Sequence, residues 1–282
     1  MEFFAVLIAW GAVQFWGSGA IVQSDDWFVA LRRSLRKING AVPRLLLTLS
    51  PLFLVALVLF LLGPILFGLP AFIISVVILL YSLGRGDFHI QLRLYLNSWQ
   101  RGDLEGARRH GEYFDPELRT GAENALQLHQ AVRKGVFYHG FERWFAVVFW
   151  FFLAGPVFAL AYRLLFLIAR HEDSEQRERD MAFQGLYYFE YLPARLLGFA
   201  FALIGHFDRC FPVWRQLSVA ELPSDDYLDQ LGATCLPGVS AEEAQDDSAF
   251  LQRASDELQA AQQMLSRSLL CWVGVMALIE LF

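Results

Sequence analysis

Long apolar runs alternate with charged segments along the chain, and this pattern predicts a set of membrane helices. Residues 42–62, VPRLLLTLSPLFLVALVLFLL, form an uninterrupted apolar run with one internal arginine. A run of about 20 residues is the length at which an α-helix crosses a hydrocarbon core of ~30 Å. The uncharged turn GPILFG leads into a second apolar run that ends at Leu83. Together the two runs predict a transmembrane hairpin over 42–83.

Basic residues flank this hairpin on both sides and set its predicted orientation. Before it or at its start lie Arg32, Arg33, Arg36, Lys37 and Arg44, and after it lie Arg85, Arg93, Arg101, Arg108 and Arg109. Because cytoplasmic loops of membrane proteins carry an excess of Lys and Arg, we expect both ends of the hairpin in the cytoplasm. The following segment, 84–142, is the main polar region, and Asp103 and Pro116 mark helix boundaries that predict a cytoplasmic helical pair.

Further apolar segments follow this polar region. Residues 144–169 contain Gly155 and Pro156 near their middle, and proline interrupts a helix because it lacks a backbone donor. The segment therefore fits either one kinked span or a re-entrant hairpin of two half-helices, and the sequence leaves both open. The remaining predicted segments are a membrane segment over 191–207, a partly flexible acidic segment over 209–262 and a C-terminal membrane helix over 264–282.

Composition agrees with a membrane protein and excludes several function classes. Of the 282 residues, 56% are hydrophobic and 18% are charged, whereas a soluble domain carries about 25% charged residues. The net charge of −6 argues against a nucleic-acid binder. Three widely spaced cysteines predict neither a disulfide framework nor a zinc site. The predicted fold class is all-α: a polytopic helical membrane protein with four to five transmembrane or re-entrant segments and a cytoplasmic helical loop.

Motifs for catalysis and cofactor binding are missing from the sequence. It contains no Walker-type GxxxxGK[ST], no GxSxG nucleophile elbow and no histidine spacing typical of zinc enzymes. We therefore predict no catalytic residue, no metal site and no cofactor. The candidates that remain are ionisable residues in or beside the apolar segments, namely Glu142, Arg143, Arg163, Glu190, Arg195 and His206.

These six residues allow two interpretations. An ionisable side chain at bilayer depth costs about 2.5–3.5 kcal/mol on insertion scales, so it normally faces protein and finds a partner. In the first interpretation the six residues line a polar seam that binds a ligand. In the second, the arginines pair with Glu142 and Glu190 and hold the helix bundle together. Arg195 and His206 are eleven residues apart, so one continuous helix would place both on nearly the same line.

Two stretches of the sequence resemble a known membrane family. ERWFAVVFWFFLAGPVFALAYRL (142–164) and YLPARLLGFAFALIGHF (191–207) resemble the AmpE family, as does the order of hairpin, RGDLEGAR-type helix and C-terminal span. The resemblance implies a non-enzymatic, multi-pass regulatory protein of the bacterial inner membrane that acts in β-lactamase induction. It also implies two partners: the lipid bilayer, and an unknown small ligand or protein of the cell-wall-sensing pathway.

AmpE proteins are in turn similar to the CobD/CbiB-type enzymes that make adenosylcobinamide phosphate, which gives an enzymatic alternative. Those enzymes carry polar and acidic residues where this chain has Phe166, Ala169, Leu186 and Tyr187. Because an ATP-dependent ligation needs carboxylates for magnesium and phosphate, the resemblance implies a retained frame with altered or lost catalytic residues. A transporter is a third alternative, since the Gly-Pro break suits a discontinuous helix, although the sequence contains no evident inverted repeat.

Overall fold

All regular secondary structure in the described part of the chain is helical. The computed structural model describes residues 2–16, 23–84, 88–121, 124–171, 174–236 and 247–281, and these residues contain no strand. The predicted all-α class is therefore confirmed. Arg85 and residues 237–246 of the predicted acidic segment lie outside the described residues.

Fourteen α-helices occur in the described ranges. They are α1 (Glu2–Trp16), α2 (Asp26–Leu35), α3 (Ala41–Thr48), α4 (Ser50–Leu62), α5 (Leu69–Ser82), α6 (Phe88–Gln100), α7 (Leu104–Gly111), α8 (Ala125–Gly140), α9 (Ala146–Ala154), α10 (Pro156–Arg170), α11 (Gln176–Ile204), α12 (Phe207–Ser218), α13 (Ser224–Cys235) and α14 (Asp247–Leu281). Short 3₁₀ turns lie at Ile65–Gly68 and Pro116–Thr120, and a π-helical turn lies at Phe141–Phe145.

The chain divides into two compact units. The first unit comprises Met1–Gly86 and Ala146–Glu190, and the second comprises residues 87–145 and 191–282. The first unit therefore holds α1–α5, α9, α10 and the N-terminal half of α11. The second holds α6–α8, the C-terminal half of α11, and α12–α14.

In the first unit, the region of the predicted transmembrane hairpin consists of two apolar helical segments. Ala41–Leu62, which comprises α3 and α4, and Ile65–Ser82 are each long and apolar enough to cross a membrane. The α4 helix has no buried residue, and Phe60 is 79% exposed. A helix this apolar and this exposed matches a segment whose solvent is lipid rather than water.

The Gly-Pro segment of the first unit is a pair of half-helices that pack against each other. The α9 helix ends at Ala154, and Gly155 has a φ of +83°, a backbone conformation that glycine adopts without steric cost. Pro156 then begins α10. The rings of Trp150 and Phe158 stack with centroids 5.9 Å apart, which requires the chain to fold back at Gly155. The segment 144–169 therefore has the geometry of a hairpin of two half-helices, not that of a single kinked helix.

Three described helical segments are long and apolar enough to cross a membrane, and the third is Ala249–Leu281 within α14. The α9–α10 pair and α11 are not among them, so the count of four to five spans stays a prediction. The α14 helix begins at Asp247, well before the predicted start at 264. The α11 helix also begins early, because the charged stretch from Gln176 is helical and continues through Pro193.

The second unit contains three helices where the sequence predicted a pair, because α6 precedes α7 and α8. The prediction that Asp103 starts a helix is confirmed, since its carboxylate accepts a hydrogen bond from the Gly106 N–H at 2.9 Å. The α8 helix packs against α13 and α14. Cys210 and Cys235 form a disulfide between α12 and α13. The structure thus differs from the expectation that the cysteines form no disulfide framework, because cysteines 25 residues apart carry no sequence signal of their contact.

Candidate functional site

The six predicted site residues divide between the two units. Arg163 and Glu190 belong to the first unit, and Glu142, Arg143, Arg195 and His206 belong to the second. Five of the six are buried, and His206 is exposed. A buried ionisable side chain requires polar partners, and these partners differ from residue to residue.

In the first unit, Arg163 meets a carboxylate that was not among the predicted residues. Its Nη2 lies 3.6 Å from Oδ2 of Asp25, and the Tyr81 hydroxyl donates to Oδ1 of the same carboxylate at 3.0 Å. Glu190 instead accepts a hydrogen bond from the Tyr162 hydroxyl at 2.9 Å. Arg163 thus contacts Asp25, whereas Glu190 is hydrogen-bonded to Tyr162.

A second ionic cluster of the first unit centres on Glu178, which sequence reasoning missed. Its carboxylate is completely buried and lies 2.6 Å from Arg32 Nη2 and 3.1 Å from Arg44 Nε. The sequence suggested these two arginines only as basic flanks of the hairpin. Glu178 shares its face of α11 with the buried Ala182 and Leu186. This four-residue spacing is the signal that could have indicated a buried carboxylate.

In the second unit, Arg195 is held by carbonyl oxygens and aromatic rings. Its Nη2 donates to the backbone oxygens of Ala220 at 3.0 Å and Leu222 at 3.3 Å. The guanidinium carbon lies 3.8 Å from the Tyr191 ring centroid and 4.6 Å from that of Tyr227, and a desolvated cation–π contact contributes about 2 kcal/mol. No carboxylate of the described residues lies within 4 Å of this guanidinium. Arg195 thus fastens α11 to the segment between α12 and α13.

His206 lies outside α11, so the predicted alignment of Arg195 and His206 on one helix line is wrong. The helix ends at Ile204, and His206 is the residue before α12, with φ −81° and ψ 94°. Gly205 follows the last helical residue, and glycine is favoured where a helix ends. The His206 side chain is exposed, whereas that of Arg195 is buried.

Glu142 and Arg143 lie in the π-helical turn Phe141–Phe145, and both are buried. Oε1 of Glu142 is 3.6 Å from Nδ1 of His139. The guanidinium carbon of Arg143 lies 5.6 Å from the ring centroid of Phe88. Turns of this type are rare and occur frequently at functional sites, so this turn is a local feature that a helical sequence pattern alone does not indicate.

A largely buried ionic network of the second unit was also missed by sequence reasoning. Nε2 of His129 lies 2.7 Å from Oε2 of Glu257, and Nη1 of Arg133 lies 3.1 Å from Oε1 of the same carboxylate. Arg133 also makes two hydrogen bonds to Asp229, at 2.8 and 3.1 Å. Burial acts to lower the pKa of Arg133, but its bonds to Asp229 and Glu257 raise that pKa above its ordinary value. The network joins α8, α13 and α14.

The sequence contains a signal for this network. Glu257 lies on the face of α14 that also carries the buried Phe250, Ala254 and Ala261. A glutamate at three- to four-residue spacing within an apolar stripe indicates a buried carboxylate with a partner. Glu257 instead falls in the partly flexible acidic segment predicted over 209–262.

A cavity of about 240 Å³ opens between α7 and the start of α8, and its walls include Glu105, Arg108 and Asn124. Arg108 donates to Glu105 at 2.7 Å and lowers the pKa of that carboxyl. None of the six predicted residues lines this cavity. Within the described ranges, no group of three or more His, Cys, Asp or Glu residues is arranged to hold a metal ion.

Comparison with known proteins decides the family. The sequence profile described as "Regulatory signalling modulator protein AmpE" matches residues 1–279. The chain belongs to the AmpE family. Protein AmpE of Shigella flexneri is 25% identical to this AmpE-family chain over 159 residues, which cover 53% of the chain and 56% of the relative. The alignment therefore spans about half the length of this curated relative. No solved structure matches the chain.

Membership in the AmpE family confirms the resemblance on which the sequence interpretation rested. The family description is that of a regulatory signalling modulator, and this AmpE-family chain has three described helical segments suited to crossing a membrane. The family description and the apolar helical segments therefore agree with the predicted class of regulatory membrane protein.

Proposed function

We propose that this chain is a multi-pass protein of the bacterial inner membrane that regulates the signalling for β-lactamase induction. The observation that carries the proposal is the AmpE family match over residues 1–279. The three apolar helical segments support the membrane location. Its partners are the lipid bilayer and a small ligand or protein of the cell-wall-sensing pathway, and its mechanism requires no catalytic residue.

The α14 helix is the element that we propose carries the signal within the second unit. Its N-terminal half is fixed to polar partners: the Trp99 indole donates to the Leu251 carbonyl at 3.0 Å, and Gln100 donates to Ser255 at 2.8 Å. Its C-terminal half exposes apolar side chains, including Leu278 and Leu281 at 57% and 78%. One helix thus combines a surface suited to lipid with a buried ionic network, so a displacement of either half reaches the other.

This chain has apolar residues at positions where an adenosylcobinamide-phosphate synthase would need polar groups. This difference favours regulation over catalysis. Phe166, Ala169 and Leu186 are all buried apolar residues in this chain. A magnesium–phosphate site requires carboxylate oxygens, and none of these three side chains supplies one. We propose that any relationship to the CobD/CbiB-type enzymes is limited to the fold and does not extend to their ATP-dependent chemistry.

The proposal is tested by genetic complementation in a Gram-negative host with an inducible β-lactamase. The chromosomal gene for this chain is deleted, and wild type, Glu257→Gln or Arg195→Ala is returned on a plasmid. β-lactamase activity is then measured by nitrocefin hydrolysis before and after exposure to a β-lactam inducer. We expect the deletion and both variants to change the induced activity several-fold without changing growth in the absence of the drug.

Asp256→Asn is the matched control, because Asp256 is an exposed neighbour of Glu257 on the same helix. This variant should restore the wild-type response, and immunoblots of membrane fractions should show equal amounts of every variant. Identical induction in the deleted and complemented strains would contradict a regulatory role. Turnover of a phosphate-bearing substrate by the purified protein would favour the enzymatic alternative instead.

A further inference from the structure

An exposed basic cluster, defined as Arg33, Arg36 and Lys37, lies just before the first apolar helical segment. Arg33 belongs to the last turn of α2, and Arg36 and Lys37 follow directly after that helix. All three side chains are exposed. The cluster is separate from the ionic clusters described above and takes no part in the network around Glu257.

The same stretch of chain contains two further arginines that behave in the opposite way. Arg32 and Arg44 are buried and paired with Glu178, and Arg44 also pairs with Glu175. These ion pairs fix the stretch against α11 within the first unit. The stretch therefore places two cations inward, where they are neutralised, and presents the other three outward.

The three outward cations have no carboxylate within 4 Å among the described residues of the chain. The acid nearest to them along α2 is Asp26, which accepts a hydrogen bond from the Ser24 hydroxyl at 2.6 Å. Asp26 lies seven residues before Arg33, which is about 10 Å along a helix. Within the part of the chain that the structure describes, the cluster thus presents a positive surface without a paired carboxylate.

Its position along the chain places the cluster at the level of lipid headgroups. Three residues separate Lys37 from Ala41, where the first candidate span begins, and this distance is at most about 14 Å even in an extended chain. The polar layer on each side of a hydrocarbon core is about 5–8 Å thick, and the screening length at physiological salt is about 8 Å. The three cations consequently lie within electrostatic reach of the headgroup phosphates.

We propose that Arg33, Arg36 and Lys37 bind the anionic phosphodiester headgroups of the membrane in which the chain is embedded. This inference rests on the membrane location given under the proposed function. Lipid is the occupant that fits, because the cluster is continuous with an apolar segment that lipid surrounds. Trp27, an α2 residue that is 39% exposed, is of the type enriched at membrane interfaces.

The test uses the full chain, purified in neutral-detergent micelles, and native mass spectrometry of its lipid adducts at physiological salt. Phosphatidylglycerol is the anionic probe and phosphatidylcholine is the neutral probe. Each basic residue near a membrane surface contributes about fivefold to anionic-lipid affinity. We therefore expect Arg33→Gln/Arg36→Gln/Lys37→Gln to weaken phosphatidylglycerol binding roughly 100-fold, to the level of phosphatidylcholine.

The matched control is Arg93→Gln/Arg101→Gln/Arg109→Gln, which removes three exposed cations from the second unit. It should leave phosphatidylglycerol binding within about threefold of wild type, and the circular dichroism of both triple variants should match wild type. Equal losses in the two triple variants, or no lipid selectivity in wild type, would overturn the proposal. So would displacement of phosphatidylglycerol by millimolar inorganic phosphate, which would indicate a site for the free anion.

Failure of the lipid-binding proposal is distinguishable from failure of the proposed function. Unchanged β-lactamase induction together with a selective loss of phosphatidylglycerol binding would contradict the regulatory role and leave the lipid site intact. Normal regulation together with equal binding in the basic-cluster variant and the control would contradict only the lipid site.

Discussion

Replacing Glu257 by alanine removes the carboxylate that links α14 to α8 in the second unit. That carboxylate is completely buried and accepts hydrogen bonds from His129 and Arg133. Without it, the His129 ring loses its only recorded hydrogen-bond partner among the described residues, while Arg133 keeps its two bonds to Asp229. The substitution therefore leaves buried polar groups without an acceptor and also creates a cavity.

The expected loss in free energy of unfolding follows from these contacts. Breaking a buried ion pair by removing one partner costs about 3–5 kcal/mol. Because Asp229 continues to compensate the charge of Arg133, we expect a value near the lower end of that range. For a chain of this size, a loss of about 3–5 kcal/mol corresponds to a decrease in Tm of roughly 6–20 °C.

The assay is thermal unfolding of the detergent-purified protein, followed by tryptophan fluorescence. Trp99 is a local probe, because its ring centroid lies 6.0 Å from that of His129. Asp256→Ala is the control: its carboxylate is exposed one position along α14, and a surface substitution should change stability by less than about 0.5 kcal/mol. A Glu257→Ala protein that melts within 2 °C (roughly 0.5–1 kcal/mol) of the control would refute the network as a stabilising feature.

Two further experiments, each with a control variant, test packing at Gly135 and ionisation of Tyr227, both in the second unit. Gly135→Ala should destabilise the protein by about 1–3 kcal/mol, because its new Cβ would lie 2.6 Å from Cβ of Phe114. Gly274 has open space around it, so Gly274→Ala should be neutral or slightly stabilising in the same thermal unfolding assay. Burial raises the pKa of Tyr227 to about 12, so wild type should lose stability as pH rises from the ordinary tyrosine pKa of about 10 through 12. Tyr227→Phe should remove about 3 kcal/mol of this loss in the free energy of unfolding at alkaline pH. Tyr188→Phe, a change at an exposed tyrosine, should retain the loss. Equal pH profiles of stability for the two variants would contradict the raised pKa of Tyr227.

The apolar helices were predictable from the sequence because length and hydropathy alone define a span. In the structure, residues 42–83 contain two apolar helical segments, and the C-terminal apolar residues lie in a helix. The charged stretch before Pro193 was less predictable, since α11 continues through this proline. A proline stops a helix only when tertiary packing does not offset the lost backbone bond, and that packing is not visible in a local pattern.

The candidate site was less predictable than the fold, because ionic partners come from distant parts of the chain. Burial of Arg163 and Arg195 followed from their apolar surroundings, but nothing in the local sequence pairs Arg163 with Asp25, 138 positions earlier. The Glu257 network likewise joins three helices. His206 was misplaced for a local reason: the eleven-residue spacing assumed a helix that in fact ends at Ile204.

The length of α14 has a mechanical consequence for the chain. Its 35 residues give a rod of about 52 Å, which exceeds a hydrocarbon core of ~30 Å by more than 20 Å. A tilt of roughly 10° about the lipid-facing end would sweep the opposite end sideways by about 9 Å. Small angular changes imposed by bilayer thickness or lateral tension would therefore reach the polar helices as displacements larger than a side chain.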